Sequence, residues 1–312
     1  MKYLLYIGVS ILSVVLIILV ISLYVYFRIF YNNIKGKPET LEPLKGELYK
    51  VFEDKSRELI KKALAIPFEQ VSLKASKHKT LCARYYFVKE GAPTSILVHG
   101  YKGNGIRDFS GGVQELIKRG NNVLVTDHYG HNLSSGRNIT FGVKEKYDVL
   151  KWIDYINKRN NNPDIYLYGI SMGASTVLMD SGLDLPKNVK AIIADCPYIS
   201  VKEEIKFTVE KMGMKFKPLY PFIYLAALLF ARFNLNKGEV RDYIKNNKLP
   251  ILLIHGTTDD IVPVTNSRTI YKEFPNNIRY VEVEGAPHGM SYFVDYERYS
   301  IELDEFLKKV RN

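Results

Sequence analysis

The sequence predicts an α/β fold: a mostly parallel sheet covered by helices on both faces, interrupted by one helical insertion and preceded by a membrane-crossing helix. Three observations carry this. From Phe68 onward, short apolar runs alternate with stretches of helical periodicity, the pattern of strands buried on both faces. One connection in that alternation, from Tyr198 to Lys248, is roughly fifty residues long where a handful is usual. Residues 3–27, YLLYIGVSILSVVLIILVISLYVYF, contain no charge.

Taken in order, the apolar run comes first. At 1.5 Å of rise per residue it forms a helix roughly 37 Å long, more than the ~30 Å hydrocarbon core of a bilayer. A secretory signal has an apolar core of about 7–15 residues and then a small-residue cleavage site. Here the run ends in bulky Tyr24, Tyr26, Phe27 and Phe30, side chains suited to the membrane interface, so residues 1–31 are expected to be a retained single-pass anchor. Lys2 precedes it, while Arg28, Lys35, Lys37, Lys45 and Lys50 follow. That bias points to a cytoplasmic domain, whereas so short an N-terminus is also the form of a signal anchor with its domain outside; the side stays open.

Residues 32–66 are polar and charged, with Pro38, Pro43 and a helical stretch from Glu47 to Ala65, and are expected to be a juxtamembrane connection to a domain at 67–312. That domain opens with strands at Val71–Leu73 and Leu81–Val88, separated by a polar turn at Ser76–Lys79. Ser95–Val98 follows as a strand, then a helix over Ile106–Arg119 closed by Gly120 and Asn121. Val123–Thr126 and Ile165–Tyr168 are strands on either side of a helix at Lys144–Lys158, and another helix opens at Ser171. Three more strands, Ile192–Ala194, Ile251–Ile254 and Tyr280–Val283, lead to an amphipathic helix at Ile301–Val310. The insertion, 199–248, is expected to be a lid over the strand ends. Within it Leu219–Ala231 is apolar, with Lys211, Lys215 and Lys217 before it and Arg232 after; it reads as a lid helix packed on the domain without lipid contact, the alternative being that it borders the substrate pocket and faces the membrane.

Composition narrows the partners. Of 312 residues, 46% are hydrophobic and 25% charged, the balance of a folded chain, and the formal charge is +11. No zinc-finger spacing, aromatic RNA-binding signature or isolated basic arm accompanies that charge, so no nucleic-acid partner is expected; the oligomeric state is not legible. Cys82 and Cys196 cannot form a disulfide framework, and Cys196 follows an apolar strand as a buried thiol does. Asp127, His128 and His131 crowd one short loop but lack a further ligand, so they read as structural and no metal is expected. His78 and His255 read as ordinary polar residues at a turn and a strand end.

The chemistry gathers at strand ends. Gly169-Ile-Ser171-Met-Gly173 follows a strand and opens a helix, the setting in which a strained turn pushes a serine hydroxyl clear of a sheet. By itself the pattern is weak, expected by chance in roughly one chain in ten of this length. A serine nucleophile needs a base, and the base an orienting acid. Both follow in the order serine, acid, histidine: Ile251–Ile254 runs into HGTTDDIVP at 255–263 and Tyr280–Val283 into GAPHG at 285–289. Ser171, Asp259 and His288 are therefore the expected triad, with Asp195 and Asp260 as alternative acids. The oxyanion donors are expected to be the backbone amides of Met172 and of Tyr101, in HGYKGN after the Ser95–Val98 strand; His99 reads as structural. No organic cofactor is needed.

These motifs, with DHYGHNLSSG at 127–136, TFGVKEKYDVLKWIDY at 140–155, GISMGAST at 169–176, ADCPY at 194–198 and GAPHGMSY at 285–292, resemble those of bacterial α/β-hydrolases of the serine aminopeptidase-like group, which often carry an N-terminal membrane anchor. The resemblance covers about Phe68 to Val310. It implies an α/β-hydrolase fold, a triad at Ser171, Asp259 and His288, and oxyanion donors at Tyr101 and Met172. One departure is Asn132, where many members have glycine, which bears on the shape of that loop. Acyl transfer on an ester, thioester or lipid is the expected reaction. A peptidase or amidase, an acyltransferase and a non-catalytic membrane protein are the alternatives, with acyl-ester, lipid or peptide substrates and membrane lipid as partners.

Overall fold

The structure, a computed structural model, describes residues 2–311. Its first element, α1 (Lys2–Ile29), is the apolar run, the one described helix long and apolar enough to cross a membrane. After two short 3₁₀ turns, Pro38–Leu41 and Glu47–Phe52, comes α2 (Glu53–Ala65). The hairpin is β1 (Glu69–Ser76) and β2 (Lys79–Tyr86), followed by β3 (Thr94–Val98), α3 (Gly105–Asp108), α4 (Ser110–Lys118) and β4 (Asn122–Asp127). Then come α5 (Glu145–Asn160), β5 (Ile165–Ile170), α6 (Met172–Asp180) and β6 (Val189–Asp195). The insertion holds α7 (Val201–Lys211), α8 (Phe216–Leu225), a π-helical turn at Ala226–Phe230 and α9 (Arg241–Ile244). The chain closes with β7 (Ile251–Gly256), α10 (Thr265–Glu273), β8 (Ile278–Val283), α11 (Ser291–Val294) and α12 (Tyr296–Arg311).

The eight strands form one sheet in the order β1-β2-β4-β3-β5-β6-β7-β8. Pairing is antiparallel for β1 with β2 and β2 with β4, and parallel from β4 onward. Strand composition follows position. β3 and β7 are buried at every residue, as a strand covered on both faces must be, whereas edge strand β1 is largely exposed. Trp152 and Ile153 of α5 and Val177 and Leu178 of α6 pack on one face. Val113 of α4 and Leu303 and Phe306 of α12 pack on the other.

Two findings go beyond the sequence reading. The stretch expected to be only a connection supplies one of the covering helices, because Ile60 and Ala63 of α2 join the second face of the core. A third apolar cluster joins the insertion to the end of α1, with Phe30 buried among Phe141, Phe233 and Ile223 and with Val25, Tyr26 and Ile29 packed against it. Along α1 the partly or fully buried positions are 18, 21, 22, 25, 26 and 29, a single helical stripe.

β4 and β5 lie on opposite sides of β3, so the chain reverses its winding direction there. Open α/β sheets hold their ligands at the carboxyl ends of strands around such a point. The loop after β3 and the turn after β5 therefore face one crevice.

Candidate active site

Ser171 stands between β5 and α6 with φ 56° and ψ −121°, a conformation a non-glycine residue rarely adopts. Its flanking glycines are required by close approach. A Cβ on Gly169 would lie 2.3 Å from the Gly173 carbonyl oxygen, and one on Gly173 would lie 1.8 Å from that of Val98. The turn thus packs against β3 with no room for side chains, and the Ser171 hydroxyl projects from it.

The Ser171 Oγ lies 2.8 Å from His288 Nε2, and His288 Nδ1 lies 2.7 Å from Asp259 Oδ2. These three residues come from the ends of β5, β8 and β7. The other oxygen of Asp259 accepts the amides of Ile261 at 2.9 Å and Val262 at 2.8 Å, which fixes the carboxylate's orientation. Burial alone would raise the Asp259 pKa, but the attraction of His288 and hydrogen bonds from His255 and His288 outweigh it and hold the carboxyl well below its usual range. Burial likewise opposes charge on His288, while Cys196 and Asp259 favour it, leaving this imidazole a stronger base than usual. Because burial pushes the Cys196 thiol up to about 12, the thiol is neutral near pH 7 and Asp259 is the anion that matters.

Asp195 and Asp260 are both held elsewhere. The Asp195 carboxyl is buried, pushed up to about 6 by that burial, and its hydrogen bond is a long one from Ser291 Oγ at 3.4 Å. Asp260 accepts from the Tyr49 phenol at 3.1 Å and pairs with Lys211 at 2.9 Å.

The loop after β3 brings Gly100 and Tyr101 beside the nucleophile. Gly100 donates its amide to Asp108 Oδ2 at 2.8 Å, and Arg107 holds the other oxygen of Asp108 at 2.7 Å. Among the described residues, neither the Tyr101 nor the Met172 amide has a hydrogen-bond acceptor. His99 locks the base of this loop: one ring nitrogen donates to the Gly100 carbonyl at 2.8 Å and the other accepts the His128 amide at 3.1 Å. His128 and His131 pack edge-on against His99 at 4.5 and 4.7 Å between ring centres. Burial lowers the pKa of all three imidazoles, so they are neutral packing and hydrogen-bonding groups. Asn132 takes φ 38°, the left-handed region that glycine would favour, and its amide donates to Asp127 at 2.8 Å. The departure at this position therefore preserves the turn, since asparagine tolerates that conformation.

Three contributors escaped the sequence reading. His255, read as an ordinary polar residue, is fully buried, with Nε2 3.2 Å from Asp259 Oδ2 and Nδ1 2.7 Å from Ser267 Oγ. Cys196, with φ 49°, places its thiol within 4.8 Å of ligand atoms of both Asp259 and His288. By spacing those three side chains could hold a metal ion, but the facing atoms of Asp259 and His288 are already hydrogen-bonded to each other. Last, Pro43, Leu44 and Ile60, ahead of the sheet, line a cavity of about 180 Å³ that Ser171 and His288 also line. Its remaining wall includes Tyr101, Ile261, Met290 and Phe293. A smaller space of about 60 Å³, lined by Tyr168, Tyr292 and Tyr299, shares Ile170, Gly289 and Phe293 with it.

This strand order, with a Gly-x-Ser-x-Gly turn after β5, is that of an α/β-hydrolase, and the chain is a serine hydrolase by class. It belongs to the family described as serine aminopeptidase, S33, which matches residues 92–249. It is similar to the uncharacterized protein YqkD of Bacillus subtilis, with 26% identity over 231 residues, 73% of this chain and 75% of that one. The lysophosphatidylserine lipase ABHD12 of Macaca fascicularis is 24% identical over 158 residues; the match covers 50% of this chain but only 38% of the lipase. Among solved structures, the esterase Pf2001 of Pyrococcus furiosus has a TM-score of 0.65 at 24% identity, covering 80% of this chain and 94% of that one. Est1E of Butyrivibrio proteoclasticus, with ferulic acid bound, has a TM-score of 0.61 at 24% identity, covering 77% and 98%. Likeness at these identities is likeness of fold.

Proposed function

We propose that the protein is a membrane-anchored hydrolase of lipid-like acyl esters or thioesters, working through Ser171, His288 and Asp259. The observation that carries the proposal is the position of the Ser171 hydroxyl, 2.8 Å from an imidazole and on the wall of a mainly apolar cavity. In this reading His288 Nε2 takes the Ser171 proton as the oxygen attacks the carbonyl carbon. Asp259 holds the proton on Nδ1 and stabilises the imidazolium. The Tyr101 and Met172 amides receive the oxyanion. His288 then returns its proton to the departing alkoxide or thiolate, and water, activated by the same imidazole, releases the acid from the acyl-enzyme.

An amine-recognising peptidase is less well supported. Such a site needs a carboxylate facing the substrate's ammonium group, and Asp108, the acidic residue on the cavity wall, is occupied by Arg107 and the Gly100 amide. The lipase and esterase names of the relatives agree with the ester reading. Purified full-length protein offered esters of graded acyl length should turn over faster as the chain lengthens to fill the cavity, and should leave aminoacyl-arylamides near background. Arylamide turnover above ester turnover would make it a peptidase.

Anchor and lid suggest how substrate arrives. A bilayer core takes about twenty helical residues, so a span beginning near Tyr3 leaves the lattice of contacts around Ser22–Ile29 at the interface. The π-helical turn packs there, with Phe230 5.8 Å from Tyr26, while Leu228 and Leu229 remain 44% and 47% exposed. Phe230, a lipid-facing candidate by sequence, thus covers the anchor instead. Changing Leu228 and Leu229 together to Ser should lower hydrolysis of vesicle-borne long-chain esters by about tenfold, and leave a short soluble ester within about twofold. Equal losses on the two substrates would mean damage to the fold and would remove the lid from the reading.

A further inference from the structure

The last turn of α1 ends against the loop that follows β3. The final carbonyls of a helix have no partner inside it. Here consecutive side chains of that loop meet two of them. The Tyr101 phenol donates to the Ile29 carbonyl at 2.7 Å; the Lys102 ammonium reaches the Arg28 carbonyl at 3.5 Å and donates to Asn33 Oδ1 at 3.2 Å. A cation at this end is also favoured by the helix dipole.

The surroundings make the contact specific. Tyr101 stacks on Phe141 at 5.1 Å, and Phe30 packs edge-on against the same Phe141 at 5.9 Å and against Phe233 at 5.4 Å. Lys102 sits at φ 47°, a strained conformation for a side chain with a Cβ, which persists only when its neighbours hold it. Farther down α1, Ser22 is fully buried against the insertion, so the helix lies close there and a larger side chain would push it away.

We infer that the end of the membrane helix positions the oxyanion loop: the Tyr101 and Lys102 side chains tie the Tyr101 amide to the carbonyls of Arg28 and Ile29, so that the seating of α1 on the insertion sets the turnover rate. This rests on the reading of the Tyr101 amide as an oxyanion donor. The phenol and ammonium, engaged with the end of α1, act as positioning groups, and their loss should lower kcat while leaving KM nearly unchanged.

The test uses the full-length protein in bilayer nanodiscs with a short soluble ester, reading kcat and KM separately and checking folding by thermal melting. Tyr101→Phe keeps the amide and loses one buried hydrogen bond; kcat should fall about fivefold with KM within about twofold. Ser22→Leu, which touches neither the loop nor Ser171, should lower kcat similarly. In the double variant the losses should not multiply, because both release the same contact. If Ser22→Leu does not fold, Lys102→Met takes its place, since it removes the second bond to the helix end. Unchanged kcat in Tyr101→Phe, or losses that multiply in the double variant, would overturn the coupling. Tyr101→Pro deletes the amide donor itself and should cost roughly 10²–10³-fold in kcat. Full activity in Tyr101→Pro would instead show that the oxyanion assignment is at fault, and the coupling would fall with it.

Discussion

Replacing Ser171 with Ala should abolish covalent labelling of the chain by a fluorophosphonate and lower ester turnover by about 10⁴-fold or more. The expected loss is chemical, not structural. The turn that holds Ser171 at φ 56° is enforced by backbone contacts of Gly169 and Gly173, and these survive removal of one oxygen. What disappears is the hydroxyl oxygen 2.8 Å from His288 Nε2, the atom placed to give up its proton and form the acyl bond. Residual turnover would come from the oxyanion donors and from substrate binding. Ser175, one turn along α6, makes a natural control: it is buried and its hydroxyl is engaged with the Tyr198 carbonyl, so the probe should leave it untouched. Mass spectrometry of the labelled peptide would identify the site, and labelling that persists in Ser171→Ala would move the nucleophile elsewhere.

The central strands were legible because strands buried on both faces must be short apolar runs, as Ser95–Val98 and Ile251–Ile254 are. The grouping of Ser171, Asp259 and His288, which are joined by hydrogen bonds through His288 and follow in the order serine, acid, histidine, was legible for a related reason. A parallel sheet gathers the loops at its strand ends, so residues far apart in sequence can be matched by which strand each follows. The limits of this reading have equally physical causes. α1 is apolar on every side, so its partly buried stripe at Ile18, Ser22, Val25 and Ile29 carries no pattern distinct from its exposed residues. The periodicity of Glu47–Ala65 indicates a helix but not what it covers. Its placement is decided by distant contacts, such as the bond between Tyr49 and Asp260 across 211 residues. His255 was missed because its importance lies in side-chain direction. It is the loop at 257–262 that bends Asp259 back to within 3.2 Å of it. The continuation of α8 through Pro221 and the π-helical turn after it, where the insertion meets α1, are likewise not legible from periodicity.

Asp259→Asn should cost on the order of 10⁴-fold in kcat while leaving the fold intact, and should cost far more than Asp195→Asn or Asp260→Asn. The asparagine carbonyl can replace Oδ1 and keep the amides of Ile261 and Val262. In place of Oδ2, however, it presents an NH₂ group to His288 Nδ1, and a donor there stabilises the tautomer with its proton on Nε2. That tautomer faces Ser171 with a hydrogen and cannot take another. Asp260 holds Tyr49 and Lys211, and Asp195 meets Ser291, so neither substitution touches the imidazole. The pH profile gives an independent readout. Protonated His288 cannot act as a base, so activity is lost as pH falls through its pKa. Because the His288 pKa is raised, with Asp259 the charged neighbour that raises it, the acid limb of kcat/KM should have its midpoint above the ~6.5 of a free imidazole. Removing the carboxylate should move that midpoint downward, even as the whole curve drops. Kinetics of the wild type and the three variants between pH 5 and 9 would decide the matter. If Asp195→Asn proved the most damaging, or if the midpoint stayed fixed in Asp259→Asn, the orienting acid would not be Asp259.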